Sequence, residues 1–105
     1  MTGAAPGGLA PARYALRLFV AGTTANSLRA IENVRRICAA HLAGRVDLEI
    51  VDIYQQPDLA EQSQVVAAPT LVKLLPPPLR RIVGDLSEER RVLRGLDLTP
   101  APDER

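Results

Sequence analysis

The sequence predicts an α/β domain, and three observations support that prediction. Residues 14–20 and 46–53 alternate between apolar and polar side chains and then become more continuously apolar, which is typical of strands. The segment between them repeats its apolar residues at spacings of three and four, as an amphipathic helix does. A strand, a helix and a strand in this order form a βαβ unit, which implies parallel pairing and a right-handed crossover.

The first half of the chain contains the βαβ unit. The strand over 14–20 is expected to be buried on both faces towards its end. Residues 21–24 break it, and Asn26 or Ser27 is expected to cap the following helix through a side-chain oxygen. Polar and charged side chains occupy one side of that helix. The opposite side carries an apolar stripe that comprises Leu28, Ile31, Val34, Ile37, Cys38 and Leu42.

Prolines mark the start or end of elements predicted in the second half of the chain. Pro57 suits the first turn of a short helix that runs to about Val65 or Val66. A strand over 67–75 follows, and it is entered through Pro69, whose preceding peptide bond is a candidate cis bond. The residues that end this strand all lack an amide donor; they are Pro76, Pro77 and Pro78.

A short strand and a helix complete the domain. The strand is expected over 79–83 and is closed by Gly84. Asp85 with Glu88 has the spacing of a capping box at the start of the last helix. Gly95 lies near the end of that helix, where the chain can take a left-handed turn. The order βαβ, short helix, ββ and helix is the thioredoxin-like order.

Thiol–disulfide exchange is the chemistry expected first of that fold, and the sequence lacks the residues for it. The loop at 21–26 holds no cysteine, and the single cysteine of the chain, Cys38, lies on an apolar stripe. A dithiol mechanism is therefore excluded, and Cys38 is expected to be a packing residue. His41 is expected at the surface near a helix end, without co-ligands for a metal. No cofactor, metal site or catalytic group is predicted.

Composition and charge exclude further classes of function. A net charge of +1 and only three aromatic residues (two Tyr and one Phe) argue against nucleic-acid binding. No apolar run is long enough to span a membrane, and the N-terminus does not have the pattern of a signal peptide. A single cysteine fits the reducing cytoplasm, where we expect the protein. One domain over 13–98 is expected between disordered tails at 1–12 and 99–105.

Four segments carry a family resemblance. Residues 20–30 read VAGTTANSLRA, residues 57–61 read PDLAE, and residues 92–98 read VLRGLDL. The longest segment, at 68–87, reads APTLVKLLPPPLRRIVGDLS and is the most specific. Together they resemble the KaiB family of circadian clock proteins, and the resemblance covers about residues 14–98.

The resemblance implies a non-enzymatic regulatory protein that docks on the CI ring of a KaiC-type ATPase hexamer and modulates a circadian, timing or stress-related output. It also implies a metamorphic chain. A dimeric or tetrameric ground state of βαββααβ order exchanges with a thioredoxin-like monomer, which binds the partner, and the sequence leaves open which fold dominates. Arg29, Arg80 and Arg81 match basic positions of the KaiC interface. The fold-switch positions carried over are Pro69, Pro76, Pro77, Pro78, Gly95 and Asp97.

Two departures from the family pattern limit what is carried over. Gln55 and Gln56 stand where cyanobacterial members have a lysine, and the extended acidic C-terminal tail of many members is missing. The first departure argues against an identical KaiC contact, and the second weakens the case for a tetramer. An Arg- and Ala-rich chain of this kind suggests a non-cyanobacterial member, in which KaiA is commonly absent, so capture of KaiA is not assumed. One alternative is a KaiB-like adaptor or sensor module that binds a SasA-like histidine kinase in trans. Another is a thioredoxin-fold enzyme that uses Cys38 alone.

Overall fold

The computed structural model of the protein describes residues 13–98. The tails expected at 1–12 and 99–105 lie outside the described residues. The helices and strands follow one another in the predicted order. They are β1 (Tyr14–Val20), α1 (Ala25–His41), β2 (Val46–Asp52), α2 (Pro57–Gln62), β3 (Thr70–Leu75), β4 (Arg80–Val83) and α3 (Glu89–Gly95).

The strands form one mixed sheet in the order β2-β1-β3-β4. Strand β1 pairs in parallel with β2, which confirms the predicted βαβ unit. It pairs antiparallel with β3 on its other side, and β3 pairs antiparallel with β4. The central position of β1 explains its composition, because its last three residues are buried from both faces.

Helices cover both faces of this sheet. Alternate residues of β1 point to opposite faces, so Leu16 and Leu18 lie in one apolar cluster and Phe19 in the other. Helices α1 and α3 contribute to the larger cluster. Helix α2 contributes Ala60 to the smaller one, which also contains Val51 of β2.

Helix α1 begins at a different cap from the one predicted. Thr24 is the N-cap, and its Oγ1 accepts a hydrogen bond of 3.3 Å from the backbone N–H of Ser27. The Ser27 hydroxyl oxygen itself accepts from the N–H of Ala21 at 3.0 Å, so it fixes the preceding loop instead. The prediction of Asn26 or Ser27 was wrong, because Thr24 supplies the cap and the Ser27 hydroxyl oxygen is used in the loop before the helix.

The residues of the predicted apolar stripe are buried or partly buried, except the first one, Leu28. Leu28 is 51% exposed, whereas Ala30 is fully buried. Leu28 and Ile37 are nine residues apart, and at about 100° per residue this separation puts them on opposite sides of the helix. The core therefore begins at Ser27 and Ala30, which are small enough for close contact with the sheet.

The last helix also differs from its predicted start. It begins at Glu89, and the N-cap residue Glu88 makes no side-chain capping bond. Asp85 instead accepts a hydrogen bond of 3.1 Å from the N–H of Ser87, which makes a local turn before the helix. The predicted capping box is wrong because the Asp85 side chain is used in this turn.

Gly95 is required by packing and not by a left-handed turn. The residue with positive φ near the end of α3 is Asp97, at 59°. A Cβ atom on Gly95 would lie 2.7 Å from Cδ1 of Ile82, closer than carbon atoms approach one another. Glycine therefore allows α3 to lie directly against β4.

Prolines and one left-handed residue bound the β3 region. Helix α2 ends at Gln62, earlier than predicted, and Gln64 has a φ of 58°. The peptide bond before Pro69 is cis, which confirms that hypothesis, and those before Pro76 and Pro78 are cis as well. Strand β3 therefore lies between two proline-containing segments.

Candidate partner-binding site

Arg80 and Asp97, which were predicted for different roles, lie in direct contact. The Arg80 Nε donates to the Asp97 Oδ2 at 3.0 Å, and the Lys73 Nζ donates to the same oxygen at 3.2 Å. The register of β3 and β4 pairs Lys73 with Arg80, which sets their side chains next to each other on one face. Asp97 reaches both from the chain that follows α3.

The electrostatics of this cluster depend on the buried lysine. Lys73 is only 1% exposed, and Asp97 is its charged partner among the described residues. The hydrogen bond from Arg80, and then the one from Lys73, lowers the pKa of Asp97 below its usual value. A buried ammonium group is more stable when a hydrogen-bonded carboxylate faces it. Asp97 therefore stabilises this conformation of the chain.

Arg81 points to the opposite face of β4 from Arg80, as successive strand residues do. Its Nε donates to the backbone carbonyl oxygen of Ser63 at 3.0 Å, and its Nη2 donates to the Oε1 of Gln64 at 3.3 Å. It remains exposed while it makes these contacts. Arg81 therefore links β4 to the segment after α2.

Arg29 lies on α1, and its ion-pair partner Asp85 lies in the segment before α3. Its Nε is 3.4 Å from the Oδ2 of Asp85, and it also donates to Asn26. One turn further along α1, the Nδ2 of Asn33 donates to the backbone oxygen of Asp85 at 2.8 Å. Hydrogen bonds with Ser87, more than those with Arg29, lower the pKa of Asp85.

The three predicted arginines therefore have no hydrogen-bond partner in common. Arg80 and Arg81 lie on an edge strand, on opposite faces, and Arg29 lies in the helical layer. The predicted fold-switch residues have a different distribution. They all lie on the unit formed by β3, β4 and α3 or directly beside it, and they comprise Pro69, Pro76, Pro77, Pro78, Gly95 and Asp97.

The remaining candidate groups are structural or differ from their predictions. Cys38 is buried, and burial raises the pKa of its thiol to about 11, so it is a poor nucleophile. The expectation of a surface His41 was wrong, because its side chain is only 16% exposed and its Nε2 lies 2.7 Å from the Oε2 of Glu89. Glu89 is far from His41 in sequence, so no local pattern could have paired them.

Within 13–98, no group of His, Cys, Asp and Glu side chains has the arrangement of a metal site. No helix in that range is long and apolar enough to cross a membrane.

Fold and site together define a thioredoxin-like domain with a buried thiol and an arginine-bearing edge strand. Solved structures support the fold. The N-terminal domain of Synechococcus elongatus SasA has a TM-score of 0.67 and 29% identity, covering 92% of this chain and 94% of that domain. Mitochondrial thioredoxin 3 of Saccharomyces cerevisiae has a TM-score of 0.66 at 20% identity, covering 82% of this chain and 78% of that one. This second likeness concerns the fold alone.

Sequence comparison then identifies the family. The KaiB domain profile matches residues 17–98. The circadian clock oscillator protein KaiB of Synechococcus sp. (strain RCC307) is 52% identical over 85 residues, which are 81% of this chain and 77% of that protein. The protein of the same name from Prochlorococcus marinus (strain MIT 9312) is 51% identical over 81% of each chain. The chain belongs to the KaiB family, and this membership supports a role in circadian regulation.

Proposed function

We propose that this chain is a non-enzymatic regulator that docks in its thioredoxin-like form on the CI ring of a KaiC-type ATPase hexamer. The observation that carries the proposal is the exposed edge strand β4 of a KaiB-family chain, which presents Arg80 and Arg81 at residue positions that the family resemblance links to KaiC. Docking is proposed to modulate a circadian or timing output.

The chemistry of the edge strand suits an acidic surface. A guanidinium group donates two parallel hydrogen bonds to one carboxylate, which gives both affinity and orientation. Asp97 holds Arg80, and the Ser63 carbonyl oxygen holds Arg81, so both side chains are already ordered before docking. Ordering a side chain in advance reduces the entropy lost on binding.

A minor population of the binding form would make docking both weaker and slower, because only that fraction of the molecules can bind at a given moment. If the chain also adopts a ground-state fold, the apparent affinity falls by the fraction of molecules in the thioredoxin-like form. The β3–β4–α3 unit that contains the proposed switch residues also contains Arg80 and Arg81. Folding of this unit and presentation of the arginines are therefore proposed to be one event.

The test is size-exclusion chromatography with a KaiC-type ATPase hexamer, in ATP and in ADP, over several hours. The variant is Arg80→Gln with Arg81→Gln. Charge reversal is avoided, because a glutamate at position 80 would stand beside Asp97 and disturb the fold. The matched control is Arg35→Gln with Arg36→Gln, which removes the same charge from two exposed residues of α1.

We expect the wild-type chain and the control to co-elute with the ring, and the Arg80/Arg81 variant to elute separately. Equal co-elution of all three would remove the edge strand from the interface. A wild-type chain that never co-elutes in either nucleotide would overturn the proposal.

The likeness to the SasA N-terminal domain supports a second candidate. A KaiB-like adaptor that binds a SasA-like histidine kinase in trans would use the same fold. Pull-down with such a kinase and with the hexamer, side by side, distinguishes the two. Retention by the kinase and not by the ring would favour the adaptor.

A further inference from the structure

We propose that the cavity between the end of α1 and helix α3 binds a small phosphate monoester that carries an apolar group. The cavity has a volume of about 450 Å³ and is lined by His41, Glu89, Arg90, Leu93, Arg94 and Leu98. This volume lies in the usual range for small-molecule sites. None of these residues belongs to the edge strand proposed for docking, so the two proposals are independent.

Two arginines give the cavity its positive side. Arg90 and Arg94 are four residues apart on α3, so their side chains are neighbours on one face of the helix. Both are exposed, and none of the ion pairs within residues 13–98 includes either of them. Arg13, Arg17, Arg29 and Arg80, by contrast, each have a carboxylate partner.

The one acidic group of the lining already has a partner. The Oε2 of Glu89 is 2.7 Å from the Nε2 of His41, so this carboxylate is directed to the histidine. The carbonyl oxygen of His41, at the end of α1, accepts a hydrogen bond of 3.0 Å from Arg45. These contacts give the Glu89 carboxylate and the His41 carbonyl oxygen partners of their own, whereas Arg90 and Arg94 remain available to an entering anion.

The ligand class follows from the two parts of the cavity. A phosphate monoester presents three oxygens, enough to accept hydrogen bonds from two guanidinium groups together. A carboxylate presents two oxygens and is satisfied by one arginine. Leu93 and Leu98 are buried apolar residues of the lining and would contact an apolar group attached to the phosphate. An aromatic phosphate monoester combines both features.

The experiment is a titration of the full chain with phenyl phosphate, followed by the backbone amide NMR signals of Leu93 and Leu98. Inorganic phosphate and phenol serve as separate ligands for the charged and the apolar part. We expect saturable shifts with a dissociation constant of about 1 mM or below for phenyl phosphate. Binding of inorganic phosphate should be at least about tenfold weaker.

Matched variants assign the site. Arg90→Gln with Arg94→Gln should weaken the binding of phenyl phosphate by at least about tenfold, whereas Arg35→Gln with Arg36→Gln should change it by less than about threefold. Equal weakening in both double variants would reveal attraction to net charge alone and overturn the site. Absence of saturation by about 10 mM phenyl phosphate, or equally tight binding of inorganic phosphate, would also overturn it.

Discussion

The two halves of this domain are stabilised in different ways. In the first half, up to β2, the described residues with positive φ are glycines, Gly22 and Gly44. In the second half the left-handed region also contains Gln64, Leu86 and Asp97. For residues other than glycine, this backbone conformation is unfavourable by about 1 kcal/mol or more. The second half therefore depends more on particular contacts to keep its path.

Each of the three non-glycine residues with positive φ in the second half has such a contact. Gln64 accepts a hydrogen bond from Arg81, and Asp97 accepts from Lys73 and Arg80. Leu86 is buried in the larger apolar cluster. Local sequence therefore determines the conformation of the βαβ half, whereas contacts between residues distant in sequence determine that of the β3–β4–α3 unit.

The largest effect is expected from the core of the first half. Leu18 is fully buried, so Leu18→Ala should lower the free energy of unfolding by about 3 kcal/mol through lost contacts and a cavity. The control is Leu28→Ala, at the exposed position of α1, which should change it by less than about 0.5 kcal/mol. Urea denaturation measures both. Similar losses in the two variants would contradict the observed face of α1.

A buried charge in the second half gives an effect of opposite sign. Lys73→Met replaces an ammonium group with an apolar group of similar length, and Asp97 keeps Arg80 as its partner. We expect the free energy of unfolding to rise by about 1 kcal/mol, because the cost of burying the charge is removed. Lys73→Ala, which leaves a cavity, should lower it instead. A loss in the methionine variant would mean that the lysine charge is itself stabilising.

Substitutions at Gly95 and Ile82 should have a coupling free energy of about 1 kcal/mol. Ala at position 95 gains helix propensity, but its Cβ meets the Ile82 side chain. Ile82→Ala removes both of the near atoms, Cδ1 at 2.7 Å and Cγ1 at 2.8 Å, so Gly95→Ala should be more favourable in that background by about 1 kcal/mol. A double-mutant cycle of unfolding free energies measures this difference. Additive changes would show that the two residues do not press on each other.

The same cycle bears on the fold-switch proposal for Gly95. The family resemblance implies that substitution at this position favours the thioredoxin-like form, whereas the contact with Ile82 opposes it. Two slowly exchanging sets of NMR signals would report both forms. The family resemblance predicts that Gly95→Ala increases the thioredoxin-like set, the contact with Ile82 predicts that it decreases this set, and the measured populations decide between the two. A single set in both proteins, unchanged by the substitution, would refute the switch.

The smallest effect concerns pH. Because the folded-state pKa of Asp97 is lowered, its carboxylate contributes stability above the unfolded-state pKa, and this contribution is lost as pH falls through the folded pKa. The unfolded-state pKa of an aspartate is about 4. At pH values above this, Asp97→Asn should therefore be less stable than the wild type. The difference should shrink at lower pH. Thermal unfolding at a series of pH values measures it, and a constant difference would exclude the carboxylate as its cause.

The sequence predicts the βαβ half well because its signals are local. The burial of β1 and the position of β2 follow from apolar patterns, and the lack of a dithiol pair follows from composition. Lys73 shows the limit of this reasoning. It stands in the apolar run of 70–75, which was a signal of burial, but its partner Asp97 could not be found from the sequence. The pairing of His41 with Glu89 has the same cause.

The candidate site could be predicted only in part. The family resemblance supplied Arg29, Arg80 and Arg81, and the structure then separated Arg29 from the other two. The cavity beside α3 left no trace in the sequence, because Arg90 and Arg94 look like ordinary exposed helix residues. Its shape comes from the packing of α3 next to the end of α1, which is a tertiary feature.

The polar contacts on α1 fix the alignment of the two halves along the helix axis. Arg29 and Asn33 meet Asp85, and His41 meets Glu89, so three side chains along one edge of α1 bind the segment before and at the start of α3. Apolar surfaces alone would tolerate sliding of one helix along the other. A displacement by one helical turn, about 5.4 Å, would break all three contacts together. This edge of α1 therefore fixes the position of the second half along the axis of the helix.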